Sequence, residues 1–384
     1  MKTMTIAARR PAGLAIEAVA VAAVLAAMVC ALFALYPLGV GGDYVNHLAR
    51  IHIEASIAQS EALATYYEVR PGLIPDLYMD ALAPPLAPLV GVVGAGAIAA
   101  AVAVILGPLA GFALSRQLHG AAAGWLPAIG FSGVFSLNFE LGFINFIAAS
   151  GLALFAFAAW IAVAPGLRRA LLFAPVAVVL LGAHALGFLF FGFLALAWEL
   201  AGAAFGLREE RAAALRRLFL IDAIAFAPAL LLLALALANE GGALRAVDAP
   251  TNFFASRGAV LLSMFRYYGD ASAVVTAFVS FAVLLAGFAI AFRTRAFVID
   301  RRMACVCAAV FALMMATPEH VAGIWGLHFR FGPALLVLVA ASVRFAPQAM
   351  RARAIFAPVL GAVLFLQVQH GAPKMAAADA FHDR

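Results

Sequence analysis

The sequence predicts an all-α fold, a polytopic helical membrane protein with about eleven transmembrane helices and an amphipathic surface helix in the first outer loop. Three observations predict it. Of the 384 residues, 66% are hydrophobic and 11% charged, against roughly 45–50% and about 25% in soluble domains. Apolar runs of about 18 or more residues recur along the whole chain, each long enough to cross roughly 30 Å of hydrocarbon. Between those runs Lys and Arg gather in short clusters, as a positive-inside bias requires. The short alternating segments of a β-barrel are absent. The net charge of +6 resides in these clusters, so no nucleic-acid partner is expected.

The first element starts behind the basic stretch "MKTMTIAARRP". Its apolar run of roughly 25 residues is too long for a signal-peptide core, so an uncleaved helix is expected over 13–38 with a cytoplasmic N-terminus. Further spans are expected near 88–114, 121–137, 141–164, 170–183, 187–206, 218–238, 271–291, 303–317, 331–343 and 354–370, ending on the outer side. The inner turns carry Lys2/Arg9/Arg10, Arg116, Arg168/Arg169, Arg208/Arg211/Arg216/Arg217, Arg293/Arg295/Arg301/Arg302 and Arg344/Arg351/Arg353. Arg168/Arg169 and the Arg208 cluster both belong inside, so 170–206 is read as a hairpin turning near His184 and Gly187. The whole of 1–384 forms one transmembrane domain.

Three polar segments remain for the outer face. The first, 39–87, begins "GVGGDYVNHLARIHIE". Val45, Leu48, Ile51, Ala55, Ala58 and Ala62 recur at helical spacing, with His47, Arg50, Glu54 and Glu61 opposite, which describes a helix lying on the bilayer. Asp43, His47 and Arg50 share one flank at spacings of four and three. Asp43 reads either as an N-cap or as a carboxylate base or anchor at the membrane edge. With His47 it makes half a metal site, too few ligands for a coordination shell, and no cofactor is expected beyond a divalent ion at that pair. Glu68, Asp76 and Asp80 read as solvated loop acids.

"FSLNFELGFINF" sets Asn138 and Glu140 at an outer turn, and "LLGAHALGF" sets His184 at another. The second outer segment, 239–270, combines Arg245, Arg257, Arg266, Tyr267, Tyr268 and Asp270. The third, 317–330, holds Glu319, His320, His328 and Arg330. Arg330 heads an apolar span, where a guanidinium either snorkels or holds an anionic phosphate bidentately. The candidate site is therefore Asp43 and His47 as catalytic residues. Asn46, Arg50, Glu140, His184, Arg266, His328 and Arg330 are expected to bind substrate.

Cys30, Cys305 and Cys307 have no disulfide or zinc spacing and read as packing residues. A nucleotide-binding glycine loop, a GxSxG elbow and an HExxH helix are all missing, which argues against an ATP-driven pump, an α/β-hydrolase and a zincin.

An acid just outside the first transmembrane helix, followed by a surface helix, resembles the GT-C membrane glycosyltransferases, which include protein mannosyltransferases and oligosaccharyltransferase catalytic subunits. The likeness covers residues 1–165 with the loop 39–87, and "DYVNHLAR" is similar to a D-x-x-N-H-L-A-R stretch of uncharacterised bacterial members; 166–384 would complete the bundle. The resemblance implies a bacterial inner-membrane enzyme of the cell envelope. It would move a sugar from a polyprenyl-phosphate donor, in contact with membrane lipid, to an acceptor at the outer face. Asp43 would be the base or acceptor anchor, and Arg330 would take the donor phosphate. Asp43 is followed by Tyr44 where many relatives carry a second acid, and a soluble C-terminal domain common among them is not seen. Three other readings stay open: a secondary transporter of a small solute, a membrane acyltransferase using His184, His320 or His328, or a non-enzymatic assembly or scaffold protein.

Overall fold

A computed structural model describes residues 16–69, 75–239, 253–265, 271–321 and 324–382. The chain opens with α1 (Ile16–Leu35), and the short helices α2 (Tyr44–Ser56), α3 (Glu61–Tyr66) and α4 (Tyr78–Leu82) lead into the long α5 (Ala87–His119). After the one-turn α6 (Leu137–Glu140) come α7 (Ile144–Ala162), α8 (Leu167–Ala183), α9 (Ala185–Phe205), α10 (Arg208–Leu220) and α11 (Ala227–Asn239). Next are α12 (Phe253–Leu262), α13 (Ala271–Arg293), α14 (Arg301–Ala316), the one-turn α15 (Leu327–Arg330), α16 (Gly332–Ser342) and α17 (Met350–His382). Two small antiparallel ribbons complete it. β1 (Phe297–Ile299) pairs with β4 (Val343–Phe345), and β2 (His320–Val321) pairs with β3 (Ile324–Trp325).

Among the described residues, six helices are long and apolar enough to cross a membrane: α1, α5, α7, α9, α13 and α17. A seventh span results if α10 and α11, bent by 59°, count as one. The expected eleven thus fall to six or seven by length. At 17, 16 and 11 residues, α8, α14 and α16 are shorter than the roughly 20 of a free span.

Two segments differ in kind from their expectations. In place of an α-helix over 121–137, Leu126–Gly133 forms consecutive 3₁₀ turns, all buried. Pro127, Gly130 and Gly133 recur every three residues, which matches the three-residue turn. The gaps at Gly130 and Gly133 are filled by Val337 and Pro333, so irregular backbone is shielded by protein. The segment 218–238 breaks at Ile221–Phe226, where Asp222 turns inward to Arg169 at 2.7 Å. The hairpin reading of 170–206 agrees with the structure. His184 interrupts the helix in an extended conformation, and Arg169 near the start of α8 meets Glu199 late in α9 at 2.9 Å.

The ends of the bundle have distinct characters. Glu17 pairs with Arg353 at the starts of α1 and α17, while Leu38 N–H donates to Asp379 Oδ1 (2.7 Å) at their far ends. His119 at the end of α5 meets the Ala341 carbonyl (3.1 Å) late in α16, and Arg302 at the start of α14 donates to Trp198 O (2.7 Å). The arginine-rich turns therefore collect at one end. The segments around 36–43, 76–79, 184 and 325–330 collect at the other.

Small residues let the central helices approach closely. A Cβ on Gly151 of α7 would lie 2.6 Å from Leu106 Cβ of α5, and one on Gly187 of α9 would lie 2.4 Å from Ala149 Cβ of α7. Such close backbones are how helices associate where lipid removes the hydrophobic drive. All three cysteines are free.

Candidate active site

The first loop is built on glycines. A Cβ on Gly41 would sit 2.5 Å from Glu140 O, and one on Gly42 (φ +58) would sit 2.3 Å from Leu141 O. From the other side, Gly142 (φ +75) leaves room for Gly41 O at 2.3 Å and Tyr44 N at 2.4 Å. Asp43 N–H donates to Leu141 O at 2.9 Å, which fixes the start of α2 against the turn after α6. The contribution of Glu140 here is its backbone. Its carboxylate, expected to bind substrate, does not line the cavity described below.

The buried face of α2 is formed by Tyr44, His47, Leu48 and Ile51, so Leu48 and Ile51 of the expected apolar face pack inward together with His47, while Asn46 is exposed. Leu48 fills the space left by Gly96 of α5, and Tyr44 Oη donates to Pro37 O (3.0 Å). Regular helix stops at Ser56, and Ala55 and Ala58 are exposed. Asp43 holds the N-cap position but makes no side-chain cap bond. Its carboxylate accepts from Asn46 Nδ2 (3.1 Å) and faces His47 Nε2 (3.5 Å).

His47 is oriented by Arg50. The guanidinium can only donate, so in the neutral ring its 3.3 Å contact makes His47 Nδ1 the acceptor and leaves the Nε2 proton for Asp43. Arg50 is itself tied to the Asp80 carboxylate. Arg50 does not line the cavity described below, and Asp80, 10% exposed, is its ion-pair partner and not a solvated acid.

Asp76 is also drawn in. Its carbonyl accepts from Asn145 Nδ2 (2.8 Å), while Asn145 Oδ1 accepts from Met79 N–H (2.8 Å). Leu77 N–H donates to Gly182 O at 2.9 Å. The Asp76 backbone has φ 147, a region unusual for a non-glycine residue and one that clusters at functional sites. Its carboxylate lies 3.9 Å from His184 Nε2. His184 Nδ1 accepts from Leu186 N–H (3.0 Å), so the neutral ring carries its proton on Nε2, toward Asp76.

On the far wall, Arg330 is buried at the end of α15. Its guanidinium carbon lies 4.0 Å above the Phe143 ring and 5.5 Å from Phe146, and Nη2 donates to Trp325 O (3.2 Å). Asn138 Nδ2 holds the Arg330 carbonyl at 2.8 Å.

These groups enclose one cavity of about 570 Å³, lined by Asp43, Asn46, His47, Asp76, His184 and Arg330 among others, with Trp325 at its rim. Five of the residues expected from sequence thus meet. His328 does not. It packs edge-on to Phe329 (5.2 Å) and does not line the cavity. Arg266 lies outside the described residues. Asp76, Asn145, Phe143 and Trp325 were not expected.

The two cavity carboxylates are driven apart. The hydrogen bond from His47, with help from Asn46 and the charges of His47 and Arg50, holds Asp43 below the usual carboxylate range despite partial burial. Burial pushes Asp76 upward, against the pull of Asn145, His47 and Arg50, and the Asp43 charge adds to the rise. Burial, with the charges of Arg330 and His47, pushes the His184 imidazole down to about 3. At neutral pH the cavity presents an anion at Asp43, a carboxylate of raised basicity at Asp76, a neutral His184 and a cation at Arg330. Among the described residues, no three His, Cys, Asp or Glu side chains are grouped to hold a metal ion.

No protein-family model matches the chain, and no curated protein matches it.

Proposed function

We propose that the protein is an integral-membrane glycosyltransferase of GT-C type, moving a sugar from a polyprenyl-phosphate donor to an acceptor at the outer membrane face. The observation that carries this reading is the meeting of Asp43, His47, Asp76 and Arg330 in one cavity, at the end of the bundle opposite the arginine clusters. The positive-inside bias puts those clusters in the cytoplasm, and with them the N-terminus, so the cavity faces outward and α17 ends on the outer side. In this topology the short helices and the shielded 3₁₀ segment also run from end to end, about eleven passes in all, several too short to span unaided.

The chemistry follows from the charges. An acceptor hydroxyl attacks the anomeric carbon of the donor sugar, and the bond from that carbon to the phosphate oxygen breaks. The electron pair leaves with the phosphate, whose added negative charge Arg330 stabilises. The hydroxyl proton passes to a carboxylate. Asp76 suits that role better than Asp43, because a base held below its ordinary range is a poor proton acceptor near neutral pH. Asp43, with Asn46 and His47, then anchors the acceptor through hydrogen bonds. Asp43 at the start of the first outer loop is thus complemented by a second acid, Asp76, from later in the same loop. Trp325 at the rim offers an apolar ring against which a sugar's C–H face packs.

The test is transfer by purified protein from a panel of radiolabelled polyprenyl-phosphate sugars, with membrane extract as acceptor. Wild type is expected to turn over one donor, Asp76→Asn to lose turnover, Asp43→Asn to weaken acceptor use, and Arg330→Lys to lose donor use. Turnover equal to wild type in all three variants would remove the cavity from the reaction. If no donor is turned over, the reading fails and solute uptake in proteoliposomes becomes the assay.

A further inference from the structure

A second large recess lies at the opposite end of the molecule. The groove between α13 and α17 has a volume of about 780 Å³, within the roughly 300–1,000 Å³ of ligand clefts. Its walls include Val283, Ile290, Ile355 and Phe356, and its mouth carries Arg295 and Arg351. Both arginines are exposed, and neither forms an ion pair among the described residues. Their neighbour Arg353 is engaged with Glu17.

Arg295 occupies an unusual backbone position. It lies two residues past the last residue of α13 with φ 55, the left-handed conformation that glycine normally supplies at a helix C-terminus. Arg295 N–H donates to Phe292 O (3.1 Å) and Ala296 N–H to Ala291 O (2.8 Å), and Ala346 N–H donates to Ala296 O (2.8 Å). The β1–β4 ribbon thereby locks the turn. A side chain in this conformation carries a cost that glycine avoids, and here the side chain it carries is a guanidinium at the mouth of an apolar groove.

We propose that this groove is a binding site for an anionic phospholipid, with one acyl chain between α13 and α17 and the headgroup phosphate held by Arg295 and Arg351. Charge complementarity selects the occupant. Two guanidinium groups suit phosphate oxygens, the long apolar walls suit an acyl chain, and the arginine-rich end of the bundle faces the leaflet whose anionic lipids attract basic residues. The proposal does not depend on the reaction assigned to the other end.

Native mass spectrometry of the full chain in detergent tests it, with titration by phosphatidylglycerol or phosphatidylcholine of identical acyl chains. Wild type is expected to retain phosphatidylglycerol in preference by about 30-fold, the scale for two arginines at an anionic surface. Arg295→Gln with Arg351→Gln is expected to remove the preference while leaving residual lipid. Ala286→Trp, which fills the groove from an exposed position of α13, is expected to displace both lipids. Equal retention of the two lipids by wild type, or an unchanged preference in the double variant, would overturn the proposal. So would an Ala286→Trp protein that keeps phosphatidylglycerol as wild type does.

Discussion

Asn145 is the clamp on which the second carboxylate depends, and replacing it tests how the cavity is assembled. The side chain is 2% exposed and makes two bonds of 2.8 Å, accepting from Met79 N–H and donating to Asp76 O. Leucine has nearly the same shape, so Asn145→Leu removes both bonds without opening a large void. The loss is roughly 1 kcal/mol for the bond to Asp76, plus about 1–3 kcal/mol for leaving the Met79 N–H buried and unsatisfied. Local opening of residues 76–79 should therefore become about 2–4 kcal/mol easier, or about 30- to 700-fold more frequent at tenfold per 1.4 kcal/mol. Amide hydrogen exchange of the detergent-solubilised protein reads this directly at Met79. Asn145→Asp should fall between the two, because one oxygen still accepts from Met79 while the other has no proton for Asp76 O. The bond from Leu77 N–H to Gly182 O (2.9 Å) lies outside the clamp and should keep part of its protection. Met79 exchange at the wild-type rate in Asn145→Leu would refute the reasoning, because the segment would then be held by something other than this side chain.

Three further outcomes follow from the same geometry. If Asp76 is the proton acceptor, the acid limb of the pH–rate profile should lie above the ordinary aspartate value of about 3.9, because burial raises Asp76; Asp43→Asn should shift that limb downward by removing a like charge. His184 stays neutral in the folded protein down to about 3, while an unfolded histidine protonates near 6.5. The unfolded state therefore binds more protons in that window and stability falls as pH drops through it, so His184→Asn should flatten the decline of Tm between pH 6.5 and 3. Removing Arg169, 1% exposed and bonded to both Glu199 and Asp222, should destabilise the bundle by about 3–5 kcal/mol in Arg169→Met, seen as a lower thermal midpoint; Arg169→Met with Glu199→Leu and Asp222→Leu should recover most of the loss.

What could be read from the chain was what is local in it. Asp43 and His47 are four residues apart on a helix, and that spacing already implies that the side chains meet. Arg330 stands out as a charge at the head of an apolar run, and the turn at His184 follows from arginines on both flanks that need the same side of the membrane. Asp76 was missed for a physical reason. In a proline-punctuated stretch it looks like any solvated acid, and what draws it in is the carbonyl of Gly182 and the amide of Asn145, both far along the chain. The burial of His47 beside Leu48 and Ile51 of α2 was not legible for a related reason, because the notch that receives Leu48 is Gly96 in the distant α5. Over Leu126–Gly133 the glycine period of three was overshadowed by high apolarity, and apolarity alone does not distinguish an α-helix from shielded 3₁₀ turns.

The two ends of the bundle treat buried charge differently, and the contrast says which charges are free for chemistry. At the arginine-rich end, Arg169 is consumed. Its nitrogens bond two carboxylates, its face stacks on Trp160 at 3.9 Å, and Glu199 also receives Trp160 Nε1 and Arg302. Such a network pairs its charges with one another and leaves little field for a ligand. Arg330 is held just as firmly but by groups without charge, the rings of Phe143 and Phe146 and the carbonyl of Trp325. Asp43 and Asp76 line the same cavity, yet neither forms an ion pair with it among the described residues, and Arg330 Nε has no hydrogen-bond partner. A guanidinium fixed by aromatic faces and a carbonyl keeps its charge for an arriving anion. Were Asp76 to close onto it, the base and the phosphate site of the proposed reaction would cancel. The separation of the two across the cavity, with Asn145 holding one wall and Asn138 the other, would let this end of the bundle bind a charged group, a role that the buried Arg169 network does not offer.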